Sequence, residues 1–134
     1  MAKYGSSNLT ITVEDSLGAA QDLSNYIDTI NDVNIEALTQ ESTAFGDSWV
    51  ENLATGVKKG NPVTVEGFYD DTALTGPDAV LIGIGDTREV VITWGGAKTT
   101  TFDAIIQNYT RRPTRNELTR FSCTLLPTGA VAEA

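Results

Sequence analysis

Five segments of the 134-residue chain alternate apolar and polar side chains with a period of two. This alternation predicts β-strands that bury one face and expose the other. In the first segment, for example, Leu9, Ile11 and Val13 share one face. Because the opposite faces are polar, we expect antiparallel sheets that are covered on one side. The predicted strands are Asn8–Asp15, Asn61–Asp70, Arg88–Trp94, Thr100–Thr110 and Leu118–Leu126.

The residues between these segments suit turns. Gly95 and Gly96 follow one predicted strand directly and indicate a tight hairpin, because glycine adopts a positive φ without steric cost. Pro113 lacks a backbone donor, so we expect it in the turn before the last strand.

One short helix is predicted after Thr75, which can serve as its N-cap. Pro77 falls in the first turn, and Asp78 places a negative charge near the positive end of the helix dipole. Gly83 or Gly85 would end the helix. An apolar run this short also fits a buried strand, but the order of the start signals favours a helix.

Residues 22–38 give conflicting signals. Their apolar side chains recur with helical spacing. The same segment is rich in Asn, Asp and β-branched residues, and ten such residues cost a helix roughly 5 kcal/mol relative to alanine. Propensity therefore opposes periodicity, and the pattern alone leaves helix and strand open.

Residues 39–56 have no clean period and predict a long loop. Loops of this length in compact domains are usually functional or disordered. This one contains Phe45, Trp49, Val50 and Leu53, which is more apolar surface than a solvated segment tolerates. We therefore expect these four side chains to contact a neighbouring subunit, although Trp49 could also be a local core residue.

The residue types available for chemistry are few. Histidine is absent, and Cys123 is the only cysteine. This removes the residues of most zinc sites and of histidine-dependent nucleophilic catalysis. Cys123 alternates with Phe121 and Leu125, so we expect a buried thiol. The sequence predicts a protein that is not an enzyme and has no cofactor.

Four carboxylates, Asp70, Asp71, Asp78 and Asp86, could in principle hold Mg²⁺ or Ca²⁺. No twelve-residue calcium-loop pattern is present, however, and an Asp pair after a strand usually serves a turn. We therefore predict no metal site.

Charge is distributed unevenly. Of the net charge of −9, the first 56 residues contribute −8, because they carry nine acidic residues and one lysine. The chain therefore lacks the basic stripe that nucleic-acid binding requires. The acidic half could repel DNA or orient a partner, or simply maintain solubility.

Arg111, Arg112, Arg115 and Arg120 form a basic cluster. Two readings are open for these arginines. They could meet acidic residues of a neighbouring subunit, or they could lie in a solvated turn. The longest nearly apolar run, Ala79–Gly85, is far too short for a bilayer about 30 Å thick, so no membrane partner is expected.

Several segments carry a resemblance that covers nearly the whole chain. They are Asp22–Ile27, Ser42–Ser48, Glu66–Thr72, Gly76–Ala79, Glu117–Ser122 and Thr128–Gly129. In this order they resemble the tail tube (major tail) proteins of long-tailed, non-contractile bacteriophages. The segments are structural in kind and contain no metal or nucleotide signature.

The resemblance implies a mainly β, single domain over residues 1–134. It would be an antiparallel β-sandwich or barrel with one short flanking α-helix, a long inter-subunit loop at 39–56 and a C-terminal tail at 128–134. The resemblance also implies that residues 23–38 are extended. Six subunits would close into a ring, and stacked rings would form a tube with an acidic lining that lets the genome pass without binding it.

The implied partners are further copies of the chain and other tail proteins, such as the tape measure and the tail terminator. The implied location is the phage tail in the virion, after assembly in the host bacterial cytoplasm. Two alternatives stay open: another virion β-protein, such as a head decoration or head–tail joining subunit, and a Ca²⁺-binding or carboxylate-dependent β-sandwich module.

Overall fold

Ten strands and one short helix make up the part of the chain that the computed structural model describes, namely Gly5 and residues 8–134. The five strands predicted from alternation are confirmed as β1, β6, β7, β8 and β9, with ends shifted by at most two residues. In chain order the elements are β1 Thr10–Glu14, β2 Ala20–Asp22, β3 Ile27–Ile30, β4 Ile35–Glu41, β5 Asn52–Gly60, β6 Val63–Phe68, α1 Pro77–Leu81, β7 Thr87–Thr93, β8 Thr99–Arg112, β9 Arg120–Pro127 and β10 Ala132–Glu133.

The predicted turns lie between these strands. Gly95 adopts a φ of +96° in the hairpin turn that joins β7 to β8, a conformation that glycine reaches without steric cost. Pro113 lies in the connection between β8 and β9, outside the hydrogen-bonded ladder.

One antiparallel sheet carries eight of the strands, in the order β2-β1-β7-β8-β9-β6-β3, with β10 beside β8. The 14-residue β8 is the central strand. Its first half pairs with β7 and its second half with β9. The expected mainly β, antiparallel fold with one short helix is therefore confirmed.

The C-terminal segment is not a free tail. Its strand β10 pairs with Thr100 and Thr101 of β8. The hydroxyl of Thr100 donates to Glu133 Oε2 at 2.9 Å and accepts from Trp94 Nε1 at 2.8 Å. A partly buried side-chain network centred on Thr100 thus fixes β10 at the edge of β8 that β7 leaves uncovered.

The sheet curls so that its two edge strands, β2 and β3, approach each other. The chain passes between them in four residues. On one side the Leu23 N–H donates to the Ile11 carbonyl at 3.0 Å, and on the other the Phe68 N–H donates to the Tyr26 carbonyl at 2.8 Å. No pairing joins β2 to β3 among the described strands, so the sheet does not close into a barrel.

The inside of this curl holds the hydrophobic core. Alternating positions of the long strands supply it, as the period-two pattern predicts. Cys123 is fully buried, and burial raises the pKa of its thiol to about 12, so it acts as a small apolar side chain. The buried hydrophobic residues are Ile11, Val13, Leu23, Val63, Val65, Val80, Leu81, Val90, Ile92, Phe102, Ala104, Ile106, Phe121, Cys123 and Leu125.

The helix α1 begins one residue later than predicted. Its N-cap is Gly76 and no side chain caps it, so the expected Thr75 cap is wrong. Gly76 is buried where a Cβ would lie 3.0 Å from the carbonyl oxygens of Asp70 and Thr72. This tight loop, rather than a side-chain cap, sets the start of the helix. No helix among the described residues is long and apolar enough to cross a membrane.

Arg88 ties the helix to the sheet. It is 4% exposed, and its guanidinium donates to the carbonyl of Glu14 at 2.8 Å and to that of Val80 at 3.2 Å. Its other terminal nitrogen donates to Asp86 Oδ2 at 2.8 Å. Because each acceptor belongs to a different segment, this one side chain joins β1, α1 and the start of β7.

Residues 23–38 contain no helix, against their helical spacing. They are extended in part, as propensity and the family resemblance indicate: a turn at 24–26 leads into β3, and β4 begins at Ile35. β3 contains a bulge at Asp28, where its pairing with β6 shifts between Ile27 and Thr29. Opposite the bulge, a Cβ on Gly67 would lie 2.0 Å from the Tyr26 carbonyl oxygen. Gly67 is therefore the residue that lets β3 approach β6 closely.

We predict that Gly67→Ala lowers the free energy of unfolding by about 2–3 kcal/mol, because β3 must move away from β6 to admit the new methyl group. Chemical denaturation measures the change. Gly129→Ala is the matched control, since nothing lies within 4 Å of a Cβ at that position. Equal stability of the two variants would contradict this account of Gly67.

Candidate interaction surface

β4 and β5 form a separate two-stranded sheet, the hairpin 35–60. Every residue from 34 to 59 is exposed, so the hairpin contacts the body at its base near Gly60 and leaves both faces open beyond it. The prediction of a loop over 39–56 is therefore wrong in part. β4 continues to Glu41 and β5 begins at Asn52, which leaves only residues 42–51 as the connecting tip.

An irregularity in the hairpin explains why its strands lack a clean period. Pairing runs from Ile35 opposite Gly60 to Ala37 opposite Lys58, and then resumes with Thr39 opposite Ala54. Between these pairs, one residue of β4 lies opposite three residues of β5. The two extra residues interrupt β5 at Gly56, which has a φ of +83°, and exposure of both faces removes the apolar–polar contrast on which the prediction depends.

The tip is a hydrogen-bonded turn. The Ser42 N–H donates to the Glu51 carbonyl at 2.8 Å, which extends the ladder beyond the strands. The Asp47 N–H donates to the Ala44 carbonyl at 3.0 Å, and Asp47 Oδ2 accepts from the Ala44 N–H at 2.7 Å. These bonds close a four-residue turn that places Phe45 at its apex, fully exposed.

The hairpin concentrates exposed apolar surface. It holds seven of the fourteen large hydrophobic side chains that are exposed among the described residues. Trp49 is 84% exposed, so it does not belong to the core of its own chain. A two-stranded hairpin is marginally stable alone in water, and clustered apolar side chains mark interaction surfaces. The seven are Ile35, Leu38, Phe45, Trp49, Val50, Leu53 and Val57.

Arg111, one of the arginines considered for an interface, is engaged within its own chain. Its Nε and Nη2 atoms donate to Asp78 Oδ1 at 3.0 and 2.6 Å. The guanidinium also lies over the rings of Tyr109 and Tyr69, at 5.3 and 5.7 Å from their centroids. The bond to Asp78 raises the pKa of Arg111, and burial raises the pKa of the Tyr109 hydroxyl.

Arg120 is likewise paired inside the subunit. It makes two hydrogen bonds to the Asp28 carboxylate, at 2.7 and 2.9 Å, and its guanidinium lies 4.9 Å from the centre of the Phe68 ring. The bond to Arg120 lowers the pKa of Asp28. Arg112 and Arg115 are exposed, and neither makes an ion pair with a described residue.

The four carboxylates considered for a metal do not converge. Asp78 pairs with Arg111 and Asp86 with Arg88. Asp70 accepts from the Thr72 N–H at 2.8 Å and from the Thr72 hydroxyl, and these bonds lower its pKa. Within the described part of the chain, no three acidic or thiol side chains are grouped as a metal site would require.

Comparisons with known proteins give structural matches only. No protein-family model matches the sequence, and no curated protein matches it. A chain from the tail of an empty gene transfer agent particle, with C6 symmetry, is 16% identical over 99% of both chains, with a TM-score of 0.75. A chain from the native gene transfer agent virion is 15% identical over 99% of both chains, also with a TM-score of 0.75.

A third similar chain comes from the six-fold symmetrised baseplate of the anti-feeding prophage. It is 13% identical, with a TM-score of 0.76 over 100% of this chain and 97% of that one. Identities this low establish a shared fold, which extends over the entire domain in all three cases.

We predict that Asp28→Asn lowers the free energy of unfolding at pH 7 by about 0.5–1 kcal/mol, because it weakens a partly exposed ion pair between β3 and β9. The pKa of Asp28 is lower in the folded state than the ordinary value of 3.8. The stabilisation is therefore fully present above the unfolded-state pKa and is lost as the pH falls below it.

The difference between wild type and Asp28→Asn should accordingly shrink between pH 5 and about pH 3, as measured by urea unfolding at each pH. Asp71→Asn serves as the control, because the Asp71 carboxylate makes no ion pair with a described residue. A difference that stays constant down to pH 3 would rule out the ion pair as its source.

Proposed function

We propose that this chain is a structural subunit of a phage-like virion tail that forms the tail tube and has no catalytic activity. The fold supports the proposal, since the three similar chains come from a tail, a virion and a baseplate, two of them in assemblies with six-fold symmetry. The resemblance of the residue patterns to tail tube proteins supports the same assignment independently of the fold.

The observation that carries the proposal is the hairpin 35–60. A domain that already has a complete core extends an exposed hairpin with seven large apolar side chains. Apolar surface of this extent is costly to leave in water, at about 25 cal/mol per Å². The hairpin therefore fits a chain that spends its functional life in contact with other subunits.

In this proposal six copies close into a ring, and rings stack into a tube. A head-to-tail contact produces rings when its rotation closes and filaments when it does not, so one subunit can use two such contacts. Ring closure would also cover the short edge strands β2 and β3, which otherwise present unpaired backbone groups.

The tube would serve as a channel for genome passage. A lining that conducts DNA without retaining it needs few lysine or arginine contacts to phosphate. The acidic first half of the chain, with a charge of −8 over residues 1–56, suits this role. The finer assignments rest on the sequence resemblance: a long, non-contractile tail, tape measure and tail terminator partners, and assembly in the bacterial cytoplasm.

The proposed interface consists of Phe45, Trp49, Val50 and Leu53 at the distal half of the hairpin, together with arginines at the end of β8 and in the β8–β9 connection. Because Arg111 pairs with Asp78 in its own chain, the inter-subunit role falls mainly on Arg112 and Arg115. Both are exposed and available for acidic partners.

We predict that the purified wild-type protein forms six-fold rings or tubes in negative-stain electron micrographs. Trp49→Ala and Leu53→Ala should each raise the protein concentration needed for assembly about tenfold, since losing a central interface side chain commonly costs more than 1 kcal/mol. Their unassembled subunits should unfold within about 0.5 kcal/mol of wild type, because both side chains are exposed.

Leu17→Ala provides the matched control for Leu53→Ala. Leu17 is 79% exposed and Leu53 is 63% exposed, but Leu17 lies in the turn between β1 and β2. Wild-type protein that stays monomeric at high concentration across a range of salt would overturn the proposed function. Equal effects of the two leucine substitutions would exclude a special role for the hairpin.

A further inference from the structure

A groove lies at the base of the hairpin, where β4 and β5 meet the C-terminal segment. It has a volume of about 860 Å³. Ile35, Pro127 and Val131 are among its apolar lining residues, and Lys58 and Lys59 also line it. At Gly60 an added Cβ would lie 2.9 Å from Val131 and 3.2 Å from Pro127, so the hairpin base packs directly against the wall of the groove.

The two ends of the hairpin carry opposite charge. The distal part, residues 39–56, contains Glu41, Asp47 and Glu51 and no basic residue. The base carries Lys58 and Lys59, both exposed and neither in an ion pair with a described residue, against the single acidic residue Glu36 opposite Lys59 on β4. The tip therefore combines exposed apolar side chains with acidic residues, and we call it the knob. The groove at the base combines apolar lining residues with two lysines.

The tip and the groove of one chain cannot meet. β5 has nine residues, and at about 3.3 Å per residue it separates the two ends of the hairpin by roughly 30 Å. The knob and the groove are nevertheless complementary in both polarity and charge. Such a pair suits a contact between copies, in which every subunit offers one knob and one groove.

We propose that the tip of one copy docks in the groove at the hairpin base of another copy. Phe45 and Trp49 enter between the apolar lining residues, and Glu51 and Asp47 face Lys58 and Lys59. This inference rests on the proposed function, because it specifies which two surfaces join successive subunits of the tube. Repeated in one direction, this contact builds a filament.

A second groove of the fold is a poorer receptor. It has a volume of about 610 Å³ and follows the open seam between β1 and β3. Asp32 and Asp28 line it, the latter paired with Arg120, and no basic residue does, so an acidic tip would find no opposite charge there. Charge therefore distinguishes the two grooves and favours the one at the hairpin base.

Charge reversal tests the pairing. Lys58→Glu and Glu51→Lys should each raise the concentration needed for assembly at least tenfold, measured by light scattering and sedimentation. The double variant Glu51→Lys/Lys58→Glu recreates an opposite-charge pair in every contact and should return to within about threefold of wild type. Lys98→Glu, an exposed reversal in the β7–β8 turn, is the control and should leave assembly unchanged.

Failure of the double variant to recover would overturn the docking. So would recovery of Glu51→Lys by Arg112→Glu instead of Lys58→Glu, since the acidic tip would then contact the end of β8.

Cross-linking tests the contact between tip and groove separately from the formation of a tube. Ser48 lies beside Trp49 at the tip, and Ala130 lines the groove. In the variant Ser48→Cys/Ala130→Cys, oxidation should link copies into a ladder on a non-reducing gel, because Cys123 is buried and does not compete. Each single-cysteine variant should give no ladder beyond a dimer.

The outcomes are distinguishable. Tubes without a ladder would overturn the docking and leave the proposed function standing. A ladder without rings or tubes would support the docking and count against a tail tube. Absence of both would overturn both.

Discussion

Backbone pairing along β8 is the constraint on which the body of the protein depends. Its fourteen residues exceed what either neighbouring strand covers, so β7 takes the first half, β9 the second, and β10 the edge left beside Thr100. A register shift between Ile106 and Asn108 divides its pairing with β9. The curl, the core and the placement of the C-terminal segment all follow from this one strand.

The charged and apolar side chains of the body find their partners within the same chain, whereas the apolar side chains of the hairpin stay exposed. Arg88, Arg111 and Arg120 each find acceptors inside the chain, and the buried side chains form one cluster. The hairpin shares none of that core. Substitutions at the tip can therefore change association with little effect on folding, whereas substitutions such as Gly67→Ala act on the body alone.

Alternation predicted the five strands that line the core, because burial of one face imposes the period-two pattern. It missed β2, β3 and β10, which have two to four residues and are too short to show a period. It also missed β4 and β5, because strands with an irregular register and two exposed faces show no regular apolar–polar alternation. The apolar content of residues 39–56 still pointed to the right segment as a candidate contact surface.

The individual charge partners could not be read from the sequence. Arg111 and Asp78 are 33 positions apart, and Arg120 and Asp28 are 92 apart, so only the folded sheet brings them together. Arg88 begins a predicted strand in phase with Val90 and Ile92, so alternation places it on the buried face. Its acceptors, the carbonyls of Glu14 and Val80, belong to other segments and could not be read from the sequence.

The unsupported hairpin has a kinetic consequence. Each ordered residue costs roughly 1–2 kcal/mol of backbone conformational entropy, and a lone two-stranded ladder barely offsets it. In a free subunit the hairpin would therefore be folded only part of the time. Two free subunits would seldom collide while both hairpins are folded. In an assembled filament, the hairpins of the terminal subunits are already folded, and so are the grooves at their bases. Growth from an existing end would then be much faster than the start of a new filament, so a pool of subunits could persist until a template appears.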